Sequence, residues 1–379
     1  MTRDGLRILD SDMHVFEPHD LYLNYMNPKW GDRIPRGEVR EKREGEGLTL
    51  HGMTRYVLGD GRPIRTPGKL VKFHEQRQKD AYIRPASQNY NNVSQIEAMD
   101  EEGLDVAVQF RTSPLHTDED FEPDYANDLC KAWNEWMHDF CSADPSRLKG
   151  SALITLHDVD LAVKEARRSV KELGAIGLSL CPEPINGRHI HDHDFDPLWA
   201  EAIDLDVPIC FHPPARPNQI QVSRRFEDHP NEELLVNPLR NPVELILAVS
   251  AFCAGGVLER FPKLRVAFLE GNCSWLPWLM YRLDEYCELQ GPMADIPLRK
   301  KPSEYFKEQC FISADVDEGL VVSVIDYMGD DNIVFSTDYP HIDSRWPEAV
   351  ETFKSLPGLK KESLEKILWT NCARLYGVD

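Results

Sequence analysis

Ile8–His14, with the sequence ILDSDMH, is a short run of apolar and small residues that ends in a carboxylate and an imidazole two positions apart. Side chains two positions apart in a β-strand point to the same side, so a strand here would aim Asp12 and His14 together. Two later apolar runs have the same design and end in His212 and Asp338. Three short strands that each end in a metal-ligand residue predict a metal site at the strand ends.

Similar apolar, β-branched runs recur along the whole chain, and most of them are followed by a segment with helical periodicity. Strand and helix alternating eight times predicts the α/β class and a (β/α)8 TIM barrel. An open doubly wound sheet is the alternative, although no G-x-G-x-x-G follows a strand, which argues against its commonest nucleotide-binding form. The predicted strands are 8–12, 106–110, 150–156, 175–180, 207–212, 264–270, 310–316 and 332–338. The predicted helices include 125–140, 160–173, 197–205, 243–260, 274–289 and 319–328.

The chain is long enough to form one large barrel, with 379 residues of which 41% are apolar. We therefore predict a single metal-dependent barrel domain over residues 1–379. Two segments interrupt the alternation: 19–93 is a polar insertion after the first strand, and 213–241 is a proline-rich loop after the fifth. Both follow the C-terminal end of a strand, where barrel enzymes hold their active sites, so we interpret them as lids or oligomer arms.

The first insertion contains a positively charged segment. Between Arg62 and Lys79 there are six lysines and arginines against Glu75 alone. Such a segment beside a metal site could attract a small anionic organic substrate, such as a carboxylate or a phosphate-bearing thioester. A solvated loop or a subunit contact explains the same charges equally well. The second explanation agrees with our expectation of a homodimer or a higher homo-oligomer.

The overall composition limits the partners and the compartment. A net charge of −21 argues against nucleic acid and against an anionic membrane surface as partners. The nine cysteines are odd in number and form no C-x-x-C pair, which favours reduced thiols over a disulfide framework. No segment approaches the roughly 20 consecutive apolar residues of a membrane span. These features predict a cytoplasmic protein.

A barrel brings the C-terminal ends of all its strands to one mouth, so distant residues can converge there. Asp12, His14, His212 and Asp338 are then expected to share one site. Oxygen and imidazole ligands without a thiolate favour a catalytic zinc, manganese or ferrous iron over a structural zinc. One such histidine alone would more often be a satisfied core residue.

Several short motifs are spread along the chain. They are Asp12-x-His14 with Glu17-Pro18, Phe195-Asp196-Pro197-Leu198-Trp199, His212-Pro213, Leu276-Pro277-Trp278, Ser336-Thr337-Asp338-Tyr339-Pro340-His341 and Asn371-Cys372-Ala373-Arg374-Leu375-Tyr376-Gly377. Together they resemble the amidohydrolase superfamily, in the branch named for aminocarboxymuconate-semialdehyde decarboxylase, which also includes resorcylate-type decarboxylases and hydrolases of carbon–carbon bonds. The resemblance extends over nearly the whole chain outside the two insertions.

The resemblance implies that Asp12, His14 and His212 bind a divalent metal ion and that Asp338 both binds metal and transfers protons. The chain differs from the family at three points. An aspartate replaces the first histidine of the usual His-x-His, which favours manganese or iron over zinc. The usual histidine after the sixth strand is missing, and Glu270 is its natural substitute as ligand or general acid and base. The fourth strand lacks the lysine that bridges two ions in binuclear members, so one ion is expected unless Glu270 helps to hold a second.

Three further sets of residues allow two interpretations each. His341 could carry protons beside the metal or cap the next helix. Glu17 could hold the ligands of the first strand or accept hydrogen bonds from backbone amides. The alternating histidines could bind a metal or belong to a polar loop that precedes a helix; they are His189, His191 and His193.

Function follows from the metal site and the resemblance. We expect a metal-dependent hydrolase or decarboxylase that acts on a carboxylated or carbonyl-bearing organic acid. A metal-bound water or a metal-bound substrate would react there, with Asp338 in proton transfer. A non-haem iron monooxygenase with one or two irons is the alternative enzyme. A metal-stabilised binding protein without catalytic activity is the alternative outside enzymes.

Overall fold

The computed structural model describes residues 5–38, 55–57, 80–113, 115–213, 221–226, 228–341 and 343–379. Among these residues, no helix combines the length and the apolar composition that crossing a lipid bilayer requires. The predicted basic segment between Arg62 and Lys79 lies outside the described residues.

Eight parallel strands form a nearly closed barrel surrounded by helices. Each barrel strand pairs with the next barrel strand along the chain, so the order in the sheet is the chain order. The ring closes where the His14 N–H donates to the carbonyl of Tyr339 at 2.7 Å. The TIM barrel prediction is confirmed. The strands are β1 Leu9–His14, β4 Val106–Phe110, β5 Leu148–Leu153, β6 Gly177–Leu180, β7 Ile209–Phe211, β8 Val266–Phe268, β9 Cys310–Ala314 and β10 Ile333–Phe335, with a separate antiparallel pair, β2 Arg36–Glu38 and β3 Arg55–Val57.

The helices lie mainly between successive strands, as the alternation predicts. The helix over Val159–Lys171 begins at a capping residue: the Asp158 side chain accepts the N–H of Leu161 at 2.9 Å. The helices are α1 Leu21–Tyr25, α2 Ile83–Ser87, α3 Asn92–Glu102, α4 Pro123–Cys141, α5 Val159–Lys171, α6 Asp196–Asp204, α7 Gln221–Phe226, α8 Glu232–Cys253, α9 Val257–Arg260, α10 Leu276–Gln290, α11 Pro302–Gln309, α12 Val321–Met328, α13 Ala349–Lys354, α14 Lys361–Glu365 and α15 Asn371–Tyr376.

One helix differs from its prediction. The periodicity predicts one helix over 243–260, but α8 begins earlier, inside the predicted loop, and contains Pro238 and Pro242. Each proline removes one helical hydrogen bond, and the fully buried Leu245 and Val249 hold the following turns against the core. The helix then ends before Gly256, whose φ of +87° belongs to the left-handed region.

The two interruptions of the barrel contain structure of their own. The segment 19–93 includes α1, a 3₁₀ turn at Pro28–Arg33, the β2–β3 pair and α2. The segment 213–241 includes α7 and the first turns of α8. Their roles as lids stay predictions.

The C-terminal helix α15 packs against the residues that fill the barrel interior, among them Leu9 and Val334. The Tyr376 hydroxyl donates to the carbonyl of Ser11 at 2.7 Å, and the Asn371 amide donates to carbonyls at the start of β10. This helix therefore secures the end of the barrel where β10 begins and leaves the opposite end for the strand-end side chains.

Candidate metal centre

Three fully buried side chains meet at the C-terminal ends of β1 and β7. The Nε2 atoms of His14 and His212 are 3.0 Å apart, and they lie 3.6 Å and 3.4 Å from the Asp12 Oδ1. All three residues are at most 1% exposed. The sequence prediction that these residues converge is therefore met in the geometry.

The end of β1 has an irregular register that turns both ligand-type side chains inward. Pairing with β4 shifts between Asp10 and Met13. The buried Asp10 carboxylate accepts the N–H groups of Asp12 and Thr337 at 3.1 Å and 3.2 Å, and it also bonds the Thr337 hydroxyl. Burial raises the pKa of Asp10 to about 8 despite these hydrogen bonds. Asp10 therefore braces the ends of β1 and β10 against each other.

Three more side chains cover the solvent side of this trio. Asp338 Oδ1 is 3.1 Å from His14 Nε2, and Glu270 Oε2 is 3.1 Å from His212 Nε2. The His341 Nδ1 lies 2.9 Å from Asp338 Oδ2. Asp338 and Glu270 are 24% and 20% exposed, so the centre has a buried floor and an accessible rim.

Backbone strain helps to aim the two carboxylates of the rim. Glu270 has φ +56° and Asp338 has φ +58°, in the left-handed region that costs a non-glycine residue free energy. Each residue lies just beyond a barrel strand, where an extended backbone would send the side chain elsewhere. The fold tolerates the cost, and both carboxylates reach the two histidines.

Protonation in the trio suits cation binding. Burial, followed by the positive charge of His341, lowers the pKa of His14 to about 4, and burial and Arg111 lower the pKa of His212 well below its usual value. Both rings are thus neutral and have lone pairs to offer. Burial raises the pKa of Asp12 to about 7, and neither of its carboxylate oxygens has a hydrogen-bond donor among the described residues.

The rim has different protonation. Burial alone would raise the pKa of Asp338, but His341 and His14 outweigh it and hold the pKa below its usual value. Asp338 in turn raises the pKa of His341 to about 9, against the lowering effect of burial. Burial, reinforced by the charge of Asp338, raises the pKa of Glu270 well above its usual value.

These residues fit a divalent metal ion. Two buried carboxylate oxygens without donors are costly unless a cation balances them. Nitrogen ligands about 2.1 Å from one ion and at right angles to each other are about 3.0 Å apart, which is the separation of the two Nε2 atoms. Two overlapping groups offer ligand atoms within 4.8 Å of one another: Asp12, His14 and His212, and His14, Glu270, Asp338 and His341.

Thr112 links the two histidines on the side away from the cluster. Its Oγ1 lies 3.3 Å from His14 Nδ1 and 3.3 Å from His341 Nε2. An imidazole that presents Nε2 to a cation carries its proton on Nδ1. We therefore assign a network in which the Thr112 hydroxyl oxygen accepts His14 Nδ1–H and also the Nε2–H of the protonated His341, whose Nδ1–H donates to Asp338.

Replacement of Thr112 by valine is expected to weaken metal binding by about 10- to 100-fold, because the proton on His14 loses its acceptor. Thr112→Ser keeps the hydroxyl and is expected to bind metal like the wild type. The manganese dissociation constant, measured by competition with a chelator, checks this. Equal affinities of the valine and serine variants would show that the hydroxyl does not orient His14.

The sequence prediction missed Arg111, Thr112 and His116, which all follow β4. The rule that located the ligands also applies to Arg111 and Thr112, which come directly after an apolar strand, whereas His116 lies in the 3₁₀ turn that follows. The pattern gives no signal at the end of β4 itself, because its last residues, Gln109 and Phe110, are not typical metal ligands.

Glu17 and the alternating histidines lie outside the trio and the rim. Glu17 Oε1 accepts the backbone N–H groups of Thr112 and Ser113 at 3.0 Å and 3.1 Å, so it fixes the loop after β4. His193 bonds Asp196 at 2.7 Å and is 70% exposed. In the described part of the chain, no group of metal-binding side chains includes His189, His191 or His193. The stacking of His189 on His191 is consistent with the polar-loop interpretation.

The family of the chain follows from a sequence model of the amidohydrolases, which matches residues 89–378. The chain belongs to the amidohydrolase family. The predicted superfamily is confirmed, and the metal-dependent enzyme class with it.

Known proteins similar to this amidohydrolase include decarboxylases. A γ-resorcylate decarboxylase of Rhodococcus jostii is 27% identical over 294 residues, which cover 75% of this chain and 87% of the relative. A 2-amino-3-carboxymuconate-6-semialdehyde decarboxylase of Dictyostelium discoideum is 24% identical over 286 residues, with 75% and 76% covered.

The fold is shared with a crystal structure of 5-carboxyvanillate decarboxylase from Novosphingobium aromaticivorans. Its TM-score is 0.71 at 18% identity, and the alignment covers 99% of this chain and 97% of that chain. That protein was crystallised with manganese and 4-hydroxy-3-methoxy-5-nitrobenzoic acid. A divalent metal ion fits the donor set of this amidohydrolase.

Proposed function

We propose that this amidohydrolase is a metal-dependent carboxy-lyase that removes carbon dioxide from a hydroxylated aromatic carboxylic acid. The observation that carries the proposal is the buried Asp12–His14–His212 trio, whose histidines contact the partly exposed carboxylates of Asp338 and Glu270. The named decarboxylase relatives support it. They do not favour the iron monooxygenase or the binding protein.

Asp12, His14, His212 and Asp338 would hold the ion, with Glu270 available as a further ligand. A bound divalent cation supplies positive charge that anchors oxygen atoms of the substrate and stabilises negative charge as it develops. The residues themselves provide a dry floor, because the side chains of the trio are shielded from solvent. Low effective dielectric strengthens every charge interaction at such a site.

Proton transfer is assigned to Asp338 with His341. When carbon dioxide leaves, the carbon–carboxylate bond breaks and its electron pair stays on the ring carbon, which then takes up one proton. The His341 Nδ1 lies 2.9 Å from Asp338 Oδ2, so this pair can hold that proton at the rim. Glu270, whose pKa is raised by burial, lies on the other side of the rim and is a second possible donor.

Carbon dioxide release tests the proposal. Protein loaded separately with manganese, zinc and ferrous iron should release carbon dioxide from at least one acid among 2,6-dihydroxybenzoate and related hydroxybenzoates, leaving the matching phenol. Release should be the same with and without oxygen. Strict dependence on oxygen would identify a monooxygenase, and hydrolysis of esters or amides without carbon dioxide release would identify a hydrolase.

We extend the proposal to assembly and compartment. Helix α10 and the turn after it present large apolar side chains to solvent, namely Trp278, Tyr281, Tyr286, Leu289 and Met293. Such a face is typical of an interface, and we assign it to a homodimer, which the native mass in solution checks. All nine cysteines are free thiols, which suits the reducing cytoplasm.

A further inference from the structure

Arg111 extends across the mouth of the barrel. It follows β4 directly, and its Nη2 donates to the carbonyl of His212 at 2.8 Å and to the Cys181 Sγ at 2.9 Å. Those two partners follow β7 and β6, so the side chain reaches from one side of the mouth to the other. Arg111 is 1% exposed, as buried as the metal-binding trio.

The charge of Arg111 has no contacting counter-charge within the described residues. Its hydrogen bonds go to a carbonyl and a thiol, and its Nε–H has no partner in the part of the chain that the structure describes. Other arginines of this chain pair with carboxylates, as Arg260 does with Asp196 at 2.8 Å. Burying an unpaired guanidinium is expensive, and the cost is recovered when an anion contacts it.

A second buried group without partners belongs to the same segment. Both ring nitrogens of His116 are buried and lack hydrogen-bond partners within the described ranges, and the residue is 1% exposed. Burial, followed by the charge of Arg111, lowers the pKa of His116 well below its usual value. The ring is therefore neutral and offers one donor and one acceptor, so the region beside Arg111 suits a ligand with oxygen atoms.

We propose that Arg111 binds the carboxylate group of the substrate. The planar guanidinium matches a carboxylate in shape and charge. Because Arg111 bonds the carbonyl of His212, an anion held there lies beside the proposed metal centre. This inference rests on the proposed function and names the group that orients the acid for it. Such binding acts on the bound substrate, so its loss is expected chiefly in KM.

Binding of matched ligands to the manganese-loaded enzyme tests the role. Titration calorimetry compares 2,6-dihydroxybenzoate with resorcinol, the same ring without its carboxylate. Arg111→Gln should weaken binding of the acid by about 100-fold, the size expected for a lost charge-assisted contact, and change resorcinol binding little. Arg111→Lys keeps the charge without the planar fork, and we expect an intermediate loss.

Arg188→Gln is the matched control. Arg188 also donates to carbonyl groups, those of Leu156 and His157, and its replacement should leave both ligands unaffected. Any of four results would overturn the inference. Arg111→Gln could lose affinity for both ligands equally, keep its full affinity for the acid, or lose manganese; or the wild type could fail to bind the acid.

The two proposals fail separately. Binding of the acid that depends on Arg111, without any release of carbon dioxide, would keep this subsite and reject the carboxy-lyase. If the wild type releases carbon dioxide, and Arg111→Gln binds the acid as tightly as the wild type does, the carboxy-lyase stands and the subsite is rejected.

Discussion

Replacement of His212 by alanine is expected to abolish both metal binding and activity while the barrel stays folded. His212 Nε2 is the atom closest to His14 Nε2 in the trio, and without it the buried Asp12 carboxylate faces one imidazole instead of two. Loss of one ligand in a site of this size typically lowers activity by several orders of magnitude. Elemental analysis of the purified variant and its turnover provide the measurement.

Folding of the variant is checked by circular dichroism and thermal unfolding. The imidazole stacks on Phe110 with ring centroids 5.3 Å apart, so its removal leaves a cavity that costs about 2–3 kcal/mol. His193→Ala is the matched control, because His193 is exposed and belongs to the alternating histidines. Full metal content and normal turnover in His212→Ala would reject the assignment of the centre. Loss of metal from His193→Ala would place the metal at the alternating histidines instead.

Replacement of Asp338 by asparagine is expected to retain much of the metal and to lower turnover by about 100-fold or more. The amide oxygen can still coordinate a cation. It cannot accept a proton, and it leaves His341 without the negative partner that raises its pKa. Metal content, kcat and KM measured together separate the two contributions.

The companion variant Glu270→Gln distinguishes the two carboxylates of the rim. If Glu270 is a ligand, its replacement should lower the number of ions bound per chain; if it is a proton donor, only kcat should fall. A parallel loss of metal and activity in Asp338→Asn would make Asp338 a ligand without a role in proton transfer.

Most of the barrel was accessible from the sequence because strand ends obey a simple rule. Eight apolar runs, each followed by a helical segment, fix the order of the strands, and the C-terminal ends must then meet. Asp12, His14, His212 and Asp338 lie together for that reason. Glu270 also lies where the missing sixth-strand histidine was expected.

Features that depend on side-chain reach and backbone strain were not accessible. Nothing in the sequence of β4 shows that Arg111 spans the mouth to the end of β7, because the path of a long side chain is set by packing. The left-handed backbone of Glu270 is equally hidden, since glutamate rarely adopts it. The predicted start of α8 is too late because the prediction treats proline as a helix breaker. In the structure, tertiary packing overrides that preference.

The hydrogen bonds of β1 with β10 and α15 have a consequence for biosynthesis. The Ser11 hydroxyl donates to the carbonyl of Phe335, and the Ser11 carbonyl accepts the hydroxyl of Tyr376. The hydrogen-bond partners of β1 therefore lie more than 320 positions later in the chain. Contacts of such long range slow folding. During translation the edge of β1 that faces β10 must stay unpaired until the ribosome has released α15. A nascent chain that lacks α15 therefore offers this open edge to chaperones and proteases. Metal capture that involves both Asp12 and Asp338 would then be a late event, which follows closure of the barrel.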